Sequence, residues 1–186
     1  GLLHVVELGA GSGAVPLAVC TSAKAIAWLA VELSPHAVRV ARRNADRHAA
    51  LLAEHGSRVW VVQGNRFNML SPTFIPDLIV SNPPYIPSGT IARLMPEVSQ
   101  YQPHIALDGG RDGADFHRYL LDYASAHLVP DGRLLAEMGA DQSRLLRDAV
   151  GERPALRLVE LRVDLSGHPR VMHVARSQTG PAVDPS

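Results

Sequence analysis

Short apolar runs rich in β-branched residues alternate with segments of helical period along most of this chain. This alternation is typical of successive βαβ units, which build a mainly parallel sheet covered by helices, so the predicted fold class is α/β. Helices are clearest at 36–50, where Ser34 and Pro35 supply an N-cap and a first-turn proline, and at 115–128. The predicted strands lie at 4–8, 26–33, 59–63, 78–81, 133–138, 157–163 and 171–176.

Composition narrows the class of protein. The chain has 186 residues, 46% of them hydrophobic, and eighteen basic side chains balance eighteen acidic ones, so it lacks the positive excess that drives sequence-independent nucleic-acid binding. The single cysteine, Cys20, excludes an internal disulfide and is expected in the core, and no apolar stretch is long enough to cross a membrane. These features predict a cytoplasmic protein with no membrane partner. The histidines show no metal-ligand spacing, so we expect no metal site.

The segment Asn82-Pro83-Pro84-Tyr85 directly follows a predicted strand, where ligands bind in open α/β sheets. The Asn82 carboxamide oxygen and the Pro83 carbonyl can accept both hydrogens of a planar NH2 group, and the Tyr85 ring can cover that group. We therefore expect Asn82, Pro83 and Tyr85 to be catalytic and all four residues, Pro84 included, to bind the substrate. The alternative is that the two prolines form only a stiff turn.

A glycine-rich turn follows the first predicted strand and is preceded by an acidic residue, Glu7. Glycines let bare backbone approach a ligand, and their spacing here differs from the one that cradles a dinucleotide pyrophosphate. A cofactor without a pyrophosphate is therefore favoured, and the alternative is a plain tight turn. The turn consists of Gly9, Ala10, Gly11, Ser12 and Gly13.

Polar residues end the next two predicted strands. Glu32, followed by Leu33, lies about twenty residues beyond the glycines, where an acid can accept both hydroxyls of a ribose. Asn65 and Arg66 follow the third strand, where Asn65 could contact an adenine edge and Phe67 could flank the ring. We assign Glu32, Leu33, Asn65 and Arg66, with Glu7, the turn and Asn82, to cofactor binding. Taken alone, Glu32 is better explained as a solvated carboxylate at the end of a strand than as a cofactor ligand. For Asn65, a simple turn residue is as good an interpretation as an adenine contact.

The glycine turn with its preceding acid, the acid that ends the second strand, the polar residue after the third strand and the Asn-Pro-Pro-Tyr segment follow one another along the chain. This succession resembles the class I methyltransferases that use S-adenosylmethionine. Further similarity is to the HemK/PrmC family: segments 96–98, 101–103 and 106–113 (Ala-Leu-Asp-Gly-Gly-Arg-Asp-Gly) resemble its acceptor-side loop, and 164–171 (Asp-Leu-Ser-Gly-His-Pro-Arg-Val) its C-terminal signature. The resemblance implies a Rossmann-like seven-stranded sheet with an antiparallel last strand and S-adenosylmethionine as cofactor. It also implies N5 methylation of the glutamine in the Gly-Gly-Gln motif of peptide chain release factors.

The chain departs from this family at several positions. The family usually has Asp where Glu7 and Asn65 stand, an apolar or aromatic residue where Arg66 stands, and Glu where Gln102 stands. The first three departures bear on cofactor affinity and the fourth on substrate handling. Of the other polar residues in the acceptor loop, Glu97 is not expected to be catalytic, and the roles of His104 and Asp108 stay open.

We expect residues 1–176 to form the catalytic domain and 177–186 a disordered tail. The helical N-terminal domain of bacterial family members is absent from this sequence, which begins abruptly at Gly1 and is expected to be a fragment or a shortened homologue. One alternative function is an adenine-N6 nucleic-acid methyltransferase. The adenine amine presents the same two hydrogens as an amide NH2 group, but the base has to be flipped out of the stacked nucleic acid. Neutral charge and the lack of a target-recognition segment argue against it. The other alternative is a non-catalytic cofactor-binding remnant.

Overall fold

Parallel strands alternate with helices in the first part of the chain. The computed structural model describes residues 1–93 and 106–178, which belong to two compact units, Gly1–Ser81 and Asn82–Ser186. In the first unit, β1 pairs in parallel with β2 and β4, and β2 pairs in parallel with β3. The carboxyl ends of β1, β2 and β4 therefore meet at one edge of the sheet. The strands are β1 (Leu3–Leu8), β2 (Ile26–Glu32), β3 (Arg58–Gln63) and β4 (Leu78–Ser81).

Three helices connect these strands: α1 (Ala14–Cys20), α2 (Pro35–Arg47) and α3 (Ala49–Glu54). The predicted start of α2 is confirmed, because Ser34 Oγ accepts a hydrogen bond from the Ala37 N–H at 3.3 Å and Pro35 is the first helical residue. The prediction of one helix over 36–50 is wrong at its end. His48 leaves the helical conformation (φ −101°, ψ 6°) and separates α2 from α3.

A hydrophobic core packs all three helices against one face of this sheet. The buried side chains come from β1 and β2, from Leu17 and Cys20 of α1, from Val38 and Ala41 of α2, and from Leu52 of α3. Cys20 is fully buried, which confirms its expected place in the core. The last four residues of β1 are all buried, as expected for a parallel strand with covered faces.

The second unit supplies the antiparallel strand. It contains β5 (Arg133–Glu137), β6 (Leu156–Val163), β7 (Pro169–Arg176), α4 (Asp115–His127), α5 (Ser143–Gly151) and a 3-10 helix at Ser88–Arg93. β7 is antiparallel to both β5 and β6. The seven-stranded sheet has the order β3-β2-β1-β4-β5-β7-β6. The expected fold, including its antiparallel last strand, is confirmed.

Apart from the helix at 36–50, the predicted elements end within one or two residues of the observed ones. The predictions for Glu97, Gln102, His104 and the last eight residues lie outside the described residues. No helix within 1–93 and 106–178 combines the length and the apolar character needed to span a membrane.

Candidate active site

The glycine turn after β1 has left-handed backbone at alternate residues. Gly9, Gly11 and Gly13 have φ of 77°, 55° and 79°, which side chains with a Cβ rarely adopt. The N–H groups of Gly9 and Ala10 donate to the Val31 carbonyl of β2, at 2.8 and 3.3 Å. A Cβ on Gly11 would meet no atom within 4 Å. The turn is therefore fixed to the sheet and leaves open space beside Gly11.

Helix α2 packs closely against the end of this turn. The Asn44 side chain donates to the Ser12 carbonyl at 3.0 Å, and a Cβ on Gly13 would lie 3.3 Å from the Ala41 Cβ. Gly13 is buried, whereas Ser12 is exposed. The structure therefore gives Gly13 a packing role that the glycine spacing alone did not reveal.

Glu32, the last residue of β2, is hydrogen-bonded to the glycine turn. Its Oε2 accepts from the Gly11 N–H at 2.8 Å, and its Oε1 accepts from the Ser34 N–H at 2.8 Å. Each carboxylate oxygen has two lone pairs, so each can still accept one further hydrogen bond. Glu32 therefore organises the turn and can also receive two hydroxyl groups.

Glu7 lies on β1 and is buried, with 3% of its surface exposed. Its Oε2 accepts a hydrogen bond from Trp28 Nε1 at 3.1 Å. Val5 is the register partner of Trp28, which places Glu7 two residues further along and therefore on the same face of the sheet. Burial raises the Glu7 pKa to about 7; the Trp28 hydrogen bond lowers it and the negative charge of Glu32 raises it. Near neutral pH this carboxyl group is therefore protonated to a much greater extent than an exposed glutamate.

Asn65 and Arg66 follow β3 in a turn whose first N–H, that of Gly64, donates to the Glu32 carbonyl at 3.0 Å. Asn65 is exposed, and Arg66 has a left-handed backbone with φ 59°. Phe67 is buried, with 2% of its surface exposed. The turn thus begins beside the carboxyl end of β2, where Glu32 lies. Leu33, directly after Glu32, is 41% exposed.

The segment from Asn82 to Tyr85 begins where β4 ends. Ser81, the last residue of β4, is buried, and its Oγ donates to the Leu8 carbonyl at the end of β1, at 2.9 Å. Asn82 is exposed and Pro83 is buried. The asparagine side chain is therefore accessible next to an anchored strand end.

The Gly-Gly loop at 106–113 holds the backbone that follows this segment. The Ile86 N–H donates to the Leu107 carbonyl at 3.0 Å, and the Gly109 N–H donates to the Ile86 carbonyl at 2.9 Å. A Cβ on Gly109 would lie 2.8 Å from the Tyr85 Cα. The glycine permits this close approach, which explains why such a loop accompanies the Asn-Pro-Pro-Tyr segment.

Asp108 has a structural role in the same loop. Its Oδ1 accepts from Ser88 Oγ at 2.6 Å and from the Gly110 N–H at 2.9 Å. The Ser88 bond joins the loop to the start of the 3-10 helix, and the Gly110 bond stabilises the loop itself. These hydrogen bonds give Asp108 a part in the structure of the loop.

Gln142, which sequence reasoning missed, fixes the main chain of Tyr85. Its Nε2 donates to the carbonyls of Tyr85 and Gly113, at 3.1 and 3.0 Å, while its Oε1 accepts from the Gly139 N–H at 2.9 Å. Gln142 is 5% exposed, so these bonds are shielded from water. Nothing in its local sequence, just before α5, distinguishes it from a surface glutamine.

The Tyr85 hydroxyl is also held. It donates to Glu137 Oε1 at 3.1 Å, and the Arg170 guanidinium is near enough to influence the pKa of the same hydroxyl. Burial is the main cause that raises the Tyr85 pKa, the charge of Glu137 raises it further and Arg170 lowers it. The phenol is therefore protonated at neutral pH. Sequence reasoning missed Glu137 and included Arg170 only as part of a signature.

Strand β7, which lies between β5 and β6 and runs against both, gives this sheet the arrangement that defines the class I methyltransferase fold. A solved methyltransferase from Pyrococcus furiosus has the same fold, with a TM-score of 0.68 and 19% identity, covering 95% of this chain and 76% of that one. The chain belongs to the Methyltransferase small domain family, which matches residues 3–96.

Curated relatives confirm the resemblance that the motifs indicated. Proteins named release factor glutamine methyltransferase from Geobacter sulfurreducens and Rhodospirillum rubrum are 42% and 41% identical over 139 and 180 residues. These matches cover 75% and 96% of this chain. They cover 46% and 52% of the relatives, so the chain spans about half the length of the curated proteins it matches.

Proposed function

We propose that this chain binds S-adenosylmethionine and methylates the side-chain amide nitrogen of the glutamine in the Gly-Gly-Gln motif of a peptide chain release factor. The observation that carries the proposal is the exposed Asn82, which lies between the anchored end of β4 and the clamped backbone of Tyr85. Similarity to release factor glutamine methyltransferases over most of the chain supports the same substrate.

The residues after β1, β2 and β3 fit a nucleoside-bearing cofactor. Space beside Gly11 admits a ligand, and the free lone pairs of Glu32 suit the two ribose hydroxyls. The exposed Asn65 can meet an adenine edge, and Leu33 and Arg66, which follow β2 and β3, are further candidates for contact with the cofactor. S-adenosylmethionine, when bound, supplies a methyl group on a positively charged sulfur.

Asn82 and Pro83 would act on the acceptor amide. A glutamine amide nitrogen is a poor nucleophile because its lone pair is delocalised into the carbonyl, and positive charge develops on the nitrogen as it attacks. Acceptors in place before the reaction, here Asn82 Oδ1 and the Pro83 carbonyl, would take its two hydrogens and stabilise that charge. The Tyr85 ring would cover the amide plane.

The test is incubation of the chain with S-adenosylmethionine and a full-length release factor, followed by mass spectrometry of the glutamine-containing peptide. We expect one added methyl group on the glutamine side chain and none on single-stranded or duplex DNA. Adenine methylation without protein methylation would refute the proposed substrate. Cofactor binding without any methyl transfer would indicate a non-catalytic module instead.

Asn82→Ala separates catalysis from cofactor binding. Removing one of two preorganised acceptors is expected to lower turnover on the order of 10²–10³-fold, with a much smaller loss of cofactor affinity. Asn68→Ala is the matched control, because Asn68 is also exposed and has no proposed role. Turnover of Asn82→Ala close to that of Asn68→Ala would show that Asn82 does not position the amide.

A further inference from the structure

We infer that Glu137 is a positioning residue that holds the Tyr85 ring for the acceptor amide, and that Arg170, which Asp164 keeps in place from the β6–β7 turn, supports this arrangement through its charge. This inference rests on the proposed function, because Tyr85 is proposed there to contact the substrate. It assigns a role to the C-terminal signature at 164–171 that the sequence motif alone does not provide.

Tyr85 is held at both ends. Its carbonyl accepts from Gln142 Nε2, and its hydroxyl, at the far end of the side chain, donates to Glu137 Oε1. A charge-assisted hydrogen bond of this kind is stronger than a neutral one. Because both the main chain and the ring tip are fixed, the ring has little freedom to swing about its first side-chain torsion. Such restriction keeps an aromatic face in one place before the substrate arrives.

Glu137 and Arg170 are brought together by the antiparallel pairing of β5 with β7. Glu137 ends β5 and is the register partner of Val171, and the N–H of Met138 donates to the Arg170 carbonyl at 3.0 Å. Arg170 is therefore the immediate neighbour of the residue paired with Glu137, and the charge of Glu137 acts on its guanidinium. The Tyr85 hydroxyl donates to the Glu137 carboxylate, and the positive charge of Arg170 acts on both groups.

Asp164 fixes the other side of Arg170. Its Oδ2 accepts from Arg170 Nη2 and Nε at 3.1 and 3.3 Å, and its Oδ1 accepts from the N–H groups of Ser166 and His168 at 2.9 and 3.1 Å. The His168 hydrogen bond is the main cause that lowers the Asp164 pKa, so the carboxylate stays charged. One aspartate thus shapes the turn and restrains the Arg170 guanidinium.

A double-mutant cycle tests whether Glu137 acts through the Tyr85 hydroxyl. Tyr85→Phe and Glu137→Ala are each expected to lower kcat about tenfold, the equivalent of one hydrogen bond to a charged group, with KM for the release factor changed less. The double variant is expected to be no slower than either single one. Glu137→Gln, which keeps an acceptor oxygen, is expected to retain most of the activity. Multiplicative losses in the double variant would overturn the inference, as would unchanged turnover of Tyr85→Phe.

Fluorotyrosine labelling reports on the same network without any reaction. The chain has four tyrosines, and the resonance lost in Tyr85→Phe identifies Tyr85 in the fluorine NMR spectrum. This resonance is expected to move in Glu137→Ala, Arg170→Ala and Asp164→Asn. It is expected to stay in Arg162→Ala, a matched control on β6 whose guanidinium pairs with Glu160 instead.

The two readouts separate failure of this inference from failure of the proposed function. If the unmodified chain methylates no release factor while the Tyr85 resonance responds as expected, the proposed function fails and the positioning network stands. If methylation occurs but the resonance of Tyr85 is unaffected by Arg170→Ala and Asp164→Asn, the role of the β6–β7 turn is refuted.

Discussion

Replacing Glu7 by Gln is expected to change how the stability of this protein depends on pH. Glu7 is 3% exposed, and burial raises its pKa from 4.5 to about 7. An acid whose pKa is raised in the folded state binds more protons there than in the unfolded chain. Its contribution to the free energy of unfolding is therefore full below pH 4.5 and is lost as the pH rises through about 7. At 1.36 kcal/mol per pKa unit, the loss is about 3 kcal/mol.

The assay is urea unfolding at a series of pH values from about 4 to about 8, followed by tryptophan fluorescence. Trp28 is 1% exposed and Trp60 is 47% exposed, so a Trp60→Phe background leaves Trp28, the partner of Glu7, as the single tryptophan. The difference in unfolding free energy between the parent and Glu7→Gln cancels the other titrating groups. Glu54→Gln, at an exposed position of α3, is the matched control.

The parent is expected to lose about 3 kcal/mol relative to Glu7→Gln as pH rises from about 4.5 to about 7, whereas Glu54→Gln should track the parent. The glutamine keeps an oxygen to accept from Trp28, so its other effects should be the same at every pH. A difference between parent and Glu7→Gln that is constant across this range would show that Glu7 does not titrate with a raised pKa, and the reasoning from burial would be wrong.

Two further substitutions test the cofactor site and the acceptor loop. S-adenosylmethionine is expected to raise the Tm of the unmodified chain, and Glu32→Ala should weaken its binding more than tenfold by calorimetry, since hydrogen bonds to a charged group contribute about 1.5–3 kcal/mol each; an unchanged Tm with saturating cofactor would contradict the site. Gly113→Ala should destabilise the fold by at least about 1–3 kcal/mol, because φ is +79° and the new Cβ would clash with the Tyr85 carbonyl and lie 2.7 Å from Gln142 Nε2. Gly151→Ala has open space and is the control, and equal Tm values for the two alanine variants would refute the packing argument.

Local patterns in the sequence were sufficient for the fold class, for most element bounds and for predicting part of the site, whereas the antiparallel last strand was predicted only by the family resemblance. The alternation of apolar runs with helical segments predicts the strands, because side-chain periodicity reports which faces are buried. Ser34 and Pro35 predict the start of α2, because capping and the fixed φ of proline act within a few residues. The glycine turn, Glu32 and the Asn82 segment follow strands that were themselves predictable, so their common place at strand ends could be inferred.

The break between α2 and α3 was not predictable in the same way. The helical period continues through His48. His48 has a non-helical backbone, but no proline or glycine at this position predicts the break. Local propensity therefore favoured one helix where the structure has two.

The contacts that fix the candidate site depend on the tertiary structure. Glu7 contacts Trp28 only because the register of β1 on β2 places both side chains on one face of the sheet. Tyr85 is hydrogen-bonded to Glu137 although 52 positions separate them in the sequence. Gln142 reaches Tyr85 and Gly113 across 57 and 29 residues. A sequence records residue types and short-range periodicity, whereas a hydrogen bond between distant residues requires a particular strand register, loop path and rotamer. Those are set by packing of the whole chain, so the sequence predicted which residues are to meet the ligands, and the tertiary structure decided which residues hold these predicted residues in place.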